Sequence, residues 1–198
     1  MEDYIKIGLF GGTFDPIHNG HLQLANWTIK KLSLNRIIFI PAAIPPHKQN
    51  LTLTESKHRY RMVQIAIDNY PGFEISDIEI KKKGISYTID TVIYYRQQFS
   101  LVKDNLFLII GADSLIDFSN WKDPDKILNN SQVVVLQRPE INLDKALPEF
   151  KSKATILLSP LIDISATVIR QKIKAGESIS HLIPPSVEQY IHEHNLYR

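Results

Sequence analysis

With 198 residues, 43% of them hydrophobic and 22% charged, the chain has the make-up of a soluble domain with a substantial core. Its formal net charge of +2 is too small to imply nucleic acid or an anionic membrane as a partner, though it allows a local basic pocket for phosphates. The absence of cysteine excludes disulfides, thiolate metal sites and cysteine nucleophiles, and no apolar run approaches the ~20 residues of a membrane span.

Residues 1–4 run directly into an apolar stretch, without the basic and then apolar order of a signal peptide, so a cytoplasmic protein is expected. Residues 5–10, IKIGLF, are short and apolar on both faces, as in a central parallel strand. The glycine-rich stretch GGTFDPIHNGH follows at 11–21, and helical spacing then runs from about Leu22 to Leu32. Residues 36–40, RIIFI, predict a second buried strand ended by Pro41, and Pro45-Pro46-His47-Lys48 predicts an exposed loop. A helix is expected from Thr54, with Met62, Val63, Ile65, Ala66 and Ile67 mostly on one side. Lys57 denies that helix a capping box.

Phe73 to Ile80 alternates enough to predict a strand with Ile75, Ile78 and Ile80 inward. Ser86 or Thr88 is the expected N-cap of a helix through Ile89, Val92, Ile93 and Tyr95. Asn105 to Ile110 is the most apolar strand, followed by Gly111-Ala112-Asp113-Ser114. Trp121 falls in a loop, and Pro124 opens a short helix. Residues 133–136 and 155–158 predict two more strands. A helix from Ser165 stops at Gly176, and Pro184-Pro185 opens a last helix to about Asn195. Without repeats, low-complexity segments or long linkers, residues 1–198 are expected to form a single domain.

Strands separated by helices at this spacing predict an α/β, Rossmann-like, doubly wound fold: a mostly parallel sheet with helices on both faces. Ligands on such sheets bind at the carboxyl ends of strands, near the point where strand order reverses. Residues 11–21, 45–48, 111–113 and Arg138 each follow a predicted strand.

The glycine stretch is neither a Walker loop, since no Gly-Lys-Ser/Thr follows, nor a dinucleotide fingerprint. Paired glycines before a helix start do suit a phosphate, which meets unpaired N–H groups and the positive end of the helix dipole there. His18 and His21 bracket that start. They can act as donors to phosphate oxygens, as metal ligands or as structural caps; phosphate donors are favoured, because no third ligand sits at a metal spacing. Lys48 is useful if its loop closes over phosphates, and otherwise a solvated turn residue. Asp113 can cap a helix or accept from ribose hydroxyls. Trp121 sits in the polar setting SNWKD, where stacking on a flat ring is credible. Ser165, Thr167 and Arg170 occupy a first helical turn, suited to a second phosphate or simply to capping.

GGTFDPIHNGH resembles the first signature of the nucleotidyltransferase superfamily, and ISATVIR at 164–170 resembles its second. Together with PPHK at 45–48, SYTIDT at 86–91, GADS at 111–114 and Trp121, the pattern is similar to the bacterial nicotinate mononucleotide adenylyltransferases from residue 5 to about 190. That resemblance implies adenylyl transfer from ATP to nicotinate mononucleotide, with pyrophosphate released and Mg²⁺ carried on the triphosphate. By the same resemblance Gly11, Gly12, Thr13 and Phe14 lie along the phosphates, and His18 and His21 stabilise the reacting centre. Ser165, Thr167 and Arg170 hold the outgoing pyrophosphate. Gly111 and Asp113 meet the adenosine, while Tyr87, Thr88 and Trp121 meet the mononucleotide, with Lys48 closing from its loop. Ala166 stands where a hydroxyl residue is common in the family, and Lys122 where many relatives place an aromatic. No nucleic acid or membrane partner is implied, and a homo-oligomer is left open. Transfer to phosphopantetheine, use of the amide mononucleotide, and a non-catalytic nucleotide sensor are the rival readings.

Overall fold

The computed structural model describes residues 5–45, 53–137 and 141–198. The segments carrying His47, Lys48 and Arg138 lie outside the described residues. Six strands, β1 (Ile7–Gly12), β2 (Arg36–Pro41), β3 (Phe73–Ile75), β4 (Leu106–Gly111), β5 (Gln132–Gln137) and β6 (Thr155–Leu158), pair in the order β3-β2-β1-β4-β5-β6. Every pairing is parallel. Strand order reverses between β1 and β4, which opens a crevice at their carboxyl ends.

Successive side chains of a strand point to opposite faces, so the central strands feed two cores. Ile7, Leu9, Ile38, Ile40, Leu108 and Ile110 pack under α4 (Thr88–Gln98), α5 (Ala112–Ile116), α6 (Pro124–Asn130) and α7 (Pro148–Lys151). Phe10, Ile37, Phe39, Ile109 and Val134 face α1 (Asn19–Lys31), α2 (Ser56–Ile67), α8 (Ala166–Lys174) and α9 (Pro185–Glu193). Each fully buried Ile, Leu or Phe contributes roughly 1.5–3 kcal/mol relative to exposure, and the two layers share the cost of ordering the sheet. The expected Rossmann-like, doubly wound arrangement is therefore present, with a sheet parallel throughout.

The largest departure from the expected elements lies between Phe73 and Ile80. Only Phe73–Ile75 is strand, and Ile78–Lys82 forms a short helix, α3. β3 is an edge strand that pairs with Ile37–Phe39 of β2 and nothing beyond it. After Ser76 donates to the Phe39 carbonyl, the Lys81 N–H bonds back to Asp77 O at 2.8 Å and closes a helical turn instead. An i, i+3 isoleucine spacing satisfies either geometry over so short a run. The N-cap of α4 also differs from expectation: Tyr87 holds that position. Ser86 instead accepts the Ala43 N–H at 2.9 Å, tying the start of α4 to the end of β2. α1 begins at Asn19, earlier than the apolar spacing indicates, and α2 begins at Ser56, slightly later.

Candidate active site

Gly11, one residue before the end of β1, and Gly111, the last residue of β4, lie on neighbouring strands at the reversal point. A Cβ built on either would meet no other atom within 4 Å, so protein packing does not demand glycine at these positions. Open backbone at two adjacent strand ends lets a ligand approach closely. Gly12 differs, since its Cβ would lie 2.8 Å from the Phe14 ring. Phe14 itself is 2% exposed, takes a positive φ of 48°, and packs edge-on against Phe10. Its side chain shapes the loop from within the core.

His18 is the N-cap residue of α1 and His21 its third residue. The Asn19 N–H, donating to the Leu182 carbonyl at 2.9 Å, anchors this helix start. The backbone N–H of His18 donates to Nδ1 of His21 at 3.3 Å. A ring nitrogen that accepts carries no proton, so the neutral His21 ring bears its proton on Nε2 and offers it as a donor. The two rings stack 3.7 Å apart at 24°, and Phe14 stands edge-on to His21 at 5.1 Å. The close stack needs Gly20: a Cβ there would come within 3.0 Å of His18 Nδ1 and 3.2 Å of Ile162. Among the described residues, no three His, Cys, Asp or Glu side chains gather as a metal site.

Arg170 joins α8 to this corner. Its guanidinium donates to the Asp15 carbonyl at 2.8 Å and to Thr167 Oγ1 at 3.3 Å. Ser165 occupies the N-cap position of α8 and is exposed, with no side-chain cap hydrogen bond. The Asp15 carboxylate, 5% exposed, accepts from the Tyr197 hydroxyl at 2.6 Å and from the Thr54 N–H at 3.2 Å. Burial, reinforced by the Asp15 charge, pushes the Tyr197 phenol far above its ordinary range, so it remains a proton donor.

On the other face of the sheet a cavity of about 550 Å³ opens above the ends of β1 and β4. It brings together Gly11, Gly12, Thr13 and Gly111 with Tyr87, Thr88 and Trp121. Trp121 is half-buried, its ring 5.1 Å from that of Phe118. Asp113 lies exposed in the first turn of α5, outside the lining; Ser114 and Asp117 of the same region face the cavity instead. Glu79 of α3 also lines it and accepts the Thr91 hydroxyl at 2.7 Å, while burial raises its carboxyl above the usual range. Thus the cavity and the histidine–arginine corner flank the Gly11–Thr13 backbone from opposite sides.

Sequence reasoning missed Arg59. It is 1% exposed and donates to the carbonyls of Thr54 at 2.8 Å, Thr13 at 2.8 Å and Ala43 at 3.0 Å. One planar fork so fixes the glycine loop, the chain after β2 and the approach to α2 in a common frame. Burial lowers its pKa while the Asp15 charge opposes the shift. A signal was present in the sequence: Arg59 opens the helical series 59, 62, 63, 66, 67, whose other members are all buried and apolar. A lone cation on a core stripe calls for buried acceptors.

The family model described as cytidylyltransferase-like matches residues 9–172. The nicotinate-nucleotide adenylyltransferase of Bacillus subtilis is 40% identical, with 97% of this chain and 98% of that protein aligned. "Probable nicotinate-nucleotide adenylyltransferase" of Clostridium tetani is 44% identical, over 98% of this chain and 99% of its own. The chain belongs to the nicotinate-nucleotide adenylyltransferases, within the cytidylyltransferase-like family. The fold of this adenylyltransferase family also recurs in a solved structure described as the Plasmodium falciparum nicotinic acid mononucleotide adenylyltransferase complexed with NaAD. That likeness has a TM-score of 0.81 at 20% identity, covers 98% of each chain, and speaks for the fold alone.

Proposed function

We propose that the chain transfers the adenylyl group of ATP to nicotinate mononucleotide, giving nicotinate adenine dinucleotide and pyrophosphate, in the cytoplasm. Full-length identity of 40% to the Bacillus subtilis nicotinate-nucleotide adenylyltransferase is the single observation that carries this reading. The geometry supplies its parts. The cavity holding Tyr87, Thr88 and Trp121 takes the mononucleotide, with the ring against Trp121 and the phosphate directed toward Gly11–Thr13. The α- and β-phosphates of ATP then lie over the open backbone of Gly11 and at the start of α1, where N–H dipoles favour anions.

The mononucleotide phosphate attacks the α-phosphorus; the new P–O bond forms as the bond to the β-phosphate oxygen breaks, and pyrophosphate leaves with that electron pair. The attacking group is already an anion, so little acid–base work is needed, and catalysis comes from positioning and charge neutralisation. His18 and His21 donate to oxygens that gain charge, and the Nε2–H of His21 is preset by the bond at Nδ1. Arg170, with Ser165 and Thr167, holds the leaving pyrophosphate. Mg²⁺ fits as an ion delivered with ATP, since it keeps phosphate oxygens and water as ligands and needs no protein cage. Its chemistry there is neutralisation of triphosphate charge.

Direct displacement has a specific consequence. Incubation with labelled pyrophosphate, Mg²⁺ and ATP, but no mononucleotide, is expected to give no exchange of label into ATP. Exchange without acceptor would instead reveal an adenylylated protein intermediate and overturn the direct route.

A further inference from the structure

The cavity that receives the mononucleotide has an uneven charge. Among the described residues lining it, Glu79 and Asp117 are acidic and Lys122 is the single cation. A ligand bearing a ring carboxylate meets repulsion from the two acids, and one base stands against them. We infer that Lys122 is the specificity-determining residue that selects a mononucleotide with a ring carboxylate over one with a carboxamide. The inference rests on the proposed function and deepens it.

Three observations fix Lys122 for this role. Its ammonium lies over the Tyr87 ring, 4.4 Å from the centroid, so the aromatic face holds the charge beside the cavity wall. Its carboxylate contact is stretched: Asp90 Oδ1 is 3.9 Å away, and the other oxygen of Asp90 already binds Lys82. The charge of Lys122 is therefore only partly offset by its neighbours. The residue also follows Trp121 in sequence, and Lys122, Trp121 and Tyr87 all line the cavity in which a pyridine ring would rest. Its side chain is 46% exposed, so a ring seated there covers the ammonium and strengthens its attraction for a carboxylate. A carboxamide lacks the charge and gains little.

The test compares kcat/KM for nicotinate mononucleotide and its amide in the unaltered protein, in Lys122→Met and in Lys122→Arg. Methionine keeps the length of the apolar stem and removes the charge. The acid-over-amide ratio is expected to fall about tenfold in Lys122→Met and to stay within about twofold of the unaltered value in Lys122→Arg. Impaired folding lowers both acceptors alike and does not move the ratio. An unchanged ratio in Lys122→Met overturns the inference while the proposed function stands. If the unaltered protein uses neither mononucleotide, the proposed function itself fails, and the inference with it.

Discussion

His21 carries a constraint that its motif does not announce: Nδ1 accepts the His18 N–H, so in the neutral ring the proton sits on Nε2. His21→Ala removes that donor and should lower kcat by about 10²–10³, by analogy with removal of one oxyanion-hole donor. Steady-state rates with an unfolding curve check it; near-normal kcat would remove His21 from the reacting centre. Arg59 acts differently, through three backbone carbonyls and no substrate atom. Arg59→Met leaves these buried acceptors without their donor and should cost about 3 kcal/mol or more of stability. Lys in its place cannot reproduce the fork, so Arg59→Lys should recover only part of that loss in chemical denaturation. Parent-like stability in Arg59→Met would contradict the framing role.

The residue scale also shows where the sequence was legible. Arg170 reaches the carbonyl of Asp15, in the loop that leads to His18 and His21, because each of the two motifs starts a helix beside that loop. Asp15 carries no such signal, because its main partner, Tyr197, is 182 positions away and nothing local marks the pair. For Asp113 and Phe14 the motif names a stretch of chain and does not say which way each side chain points. Ser114 and Asp117 face the cavity in place of Asp113, and the Phe14 ring turns into the core against Gly12.

At the scale of elements, the pairing of α2 with α9 couples the fold to pH. His58 on α2 bonds the Tyr190 hydroxyl of α9 at 2.8 Å, and the His194 ring stands 5.2 Å away. Burial lowers the His58 pKa from 6.5, assisted by Lys57 and His194 and opposed by Glu55. The unfolded chain therefore binds this proton more readily than the folded one. The stabilisation from neutral His58 is fully present above pH 6.5 and is lost as pH falls through the lowered folded value. Urea midpoints should drop between pH 7.5 and pH 5.5, and His58→Gln should flatten that dependence; an equal slope in the variant would assign the effect to other groups. The elements themselves were largely predictable, since long apolar runs and proline or glycine punctuation mark five of the six strands and most helices. The segment at 73–82 was not, because an edge strand of three residues is decided by its neighbour β2 and not by its own pattern.

For the whole molecule, the parallel order β3-β2-β1-β4-β5-β6 places the glycine loop and Gly111 side by side at the one reversal of strand order. Motifs a hundred residues apart in sequence thereby share a single crevice, with the ring cavity on one side and the histidine–arginine corner on the other. Alternation of strands and helices was enough to foresee the class of fold and the edge of the sheet at which the cavity opens. It could not foresee the buried frame of Arg59, Asp15 and Tyr197, which depends on contacts across the full chain. The central claim is that this crevice joins ATP to a nicotinate mononucleotide. Pyrophosphate release should be measured with Mg-ATP and, in parallel, nicotinate mononucleotide, its amide and phosphopantetheine as acceptors. Fastest release with nicotinate mononucleotide is the predicted result. Release with phosphopantetheine alone, or ATP binding without release for any acceptor, would contradict it.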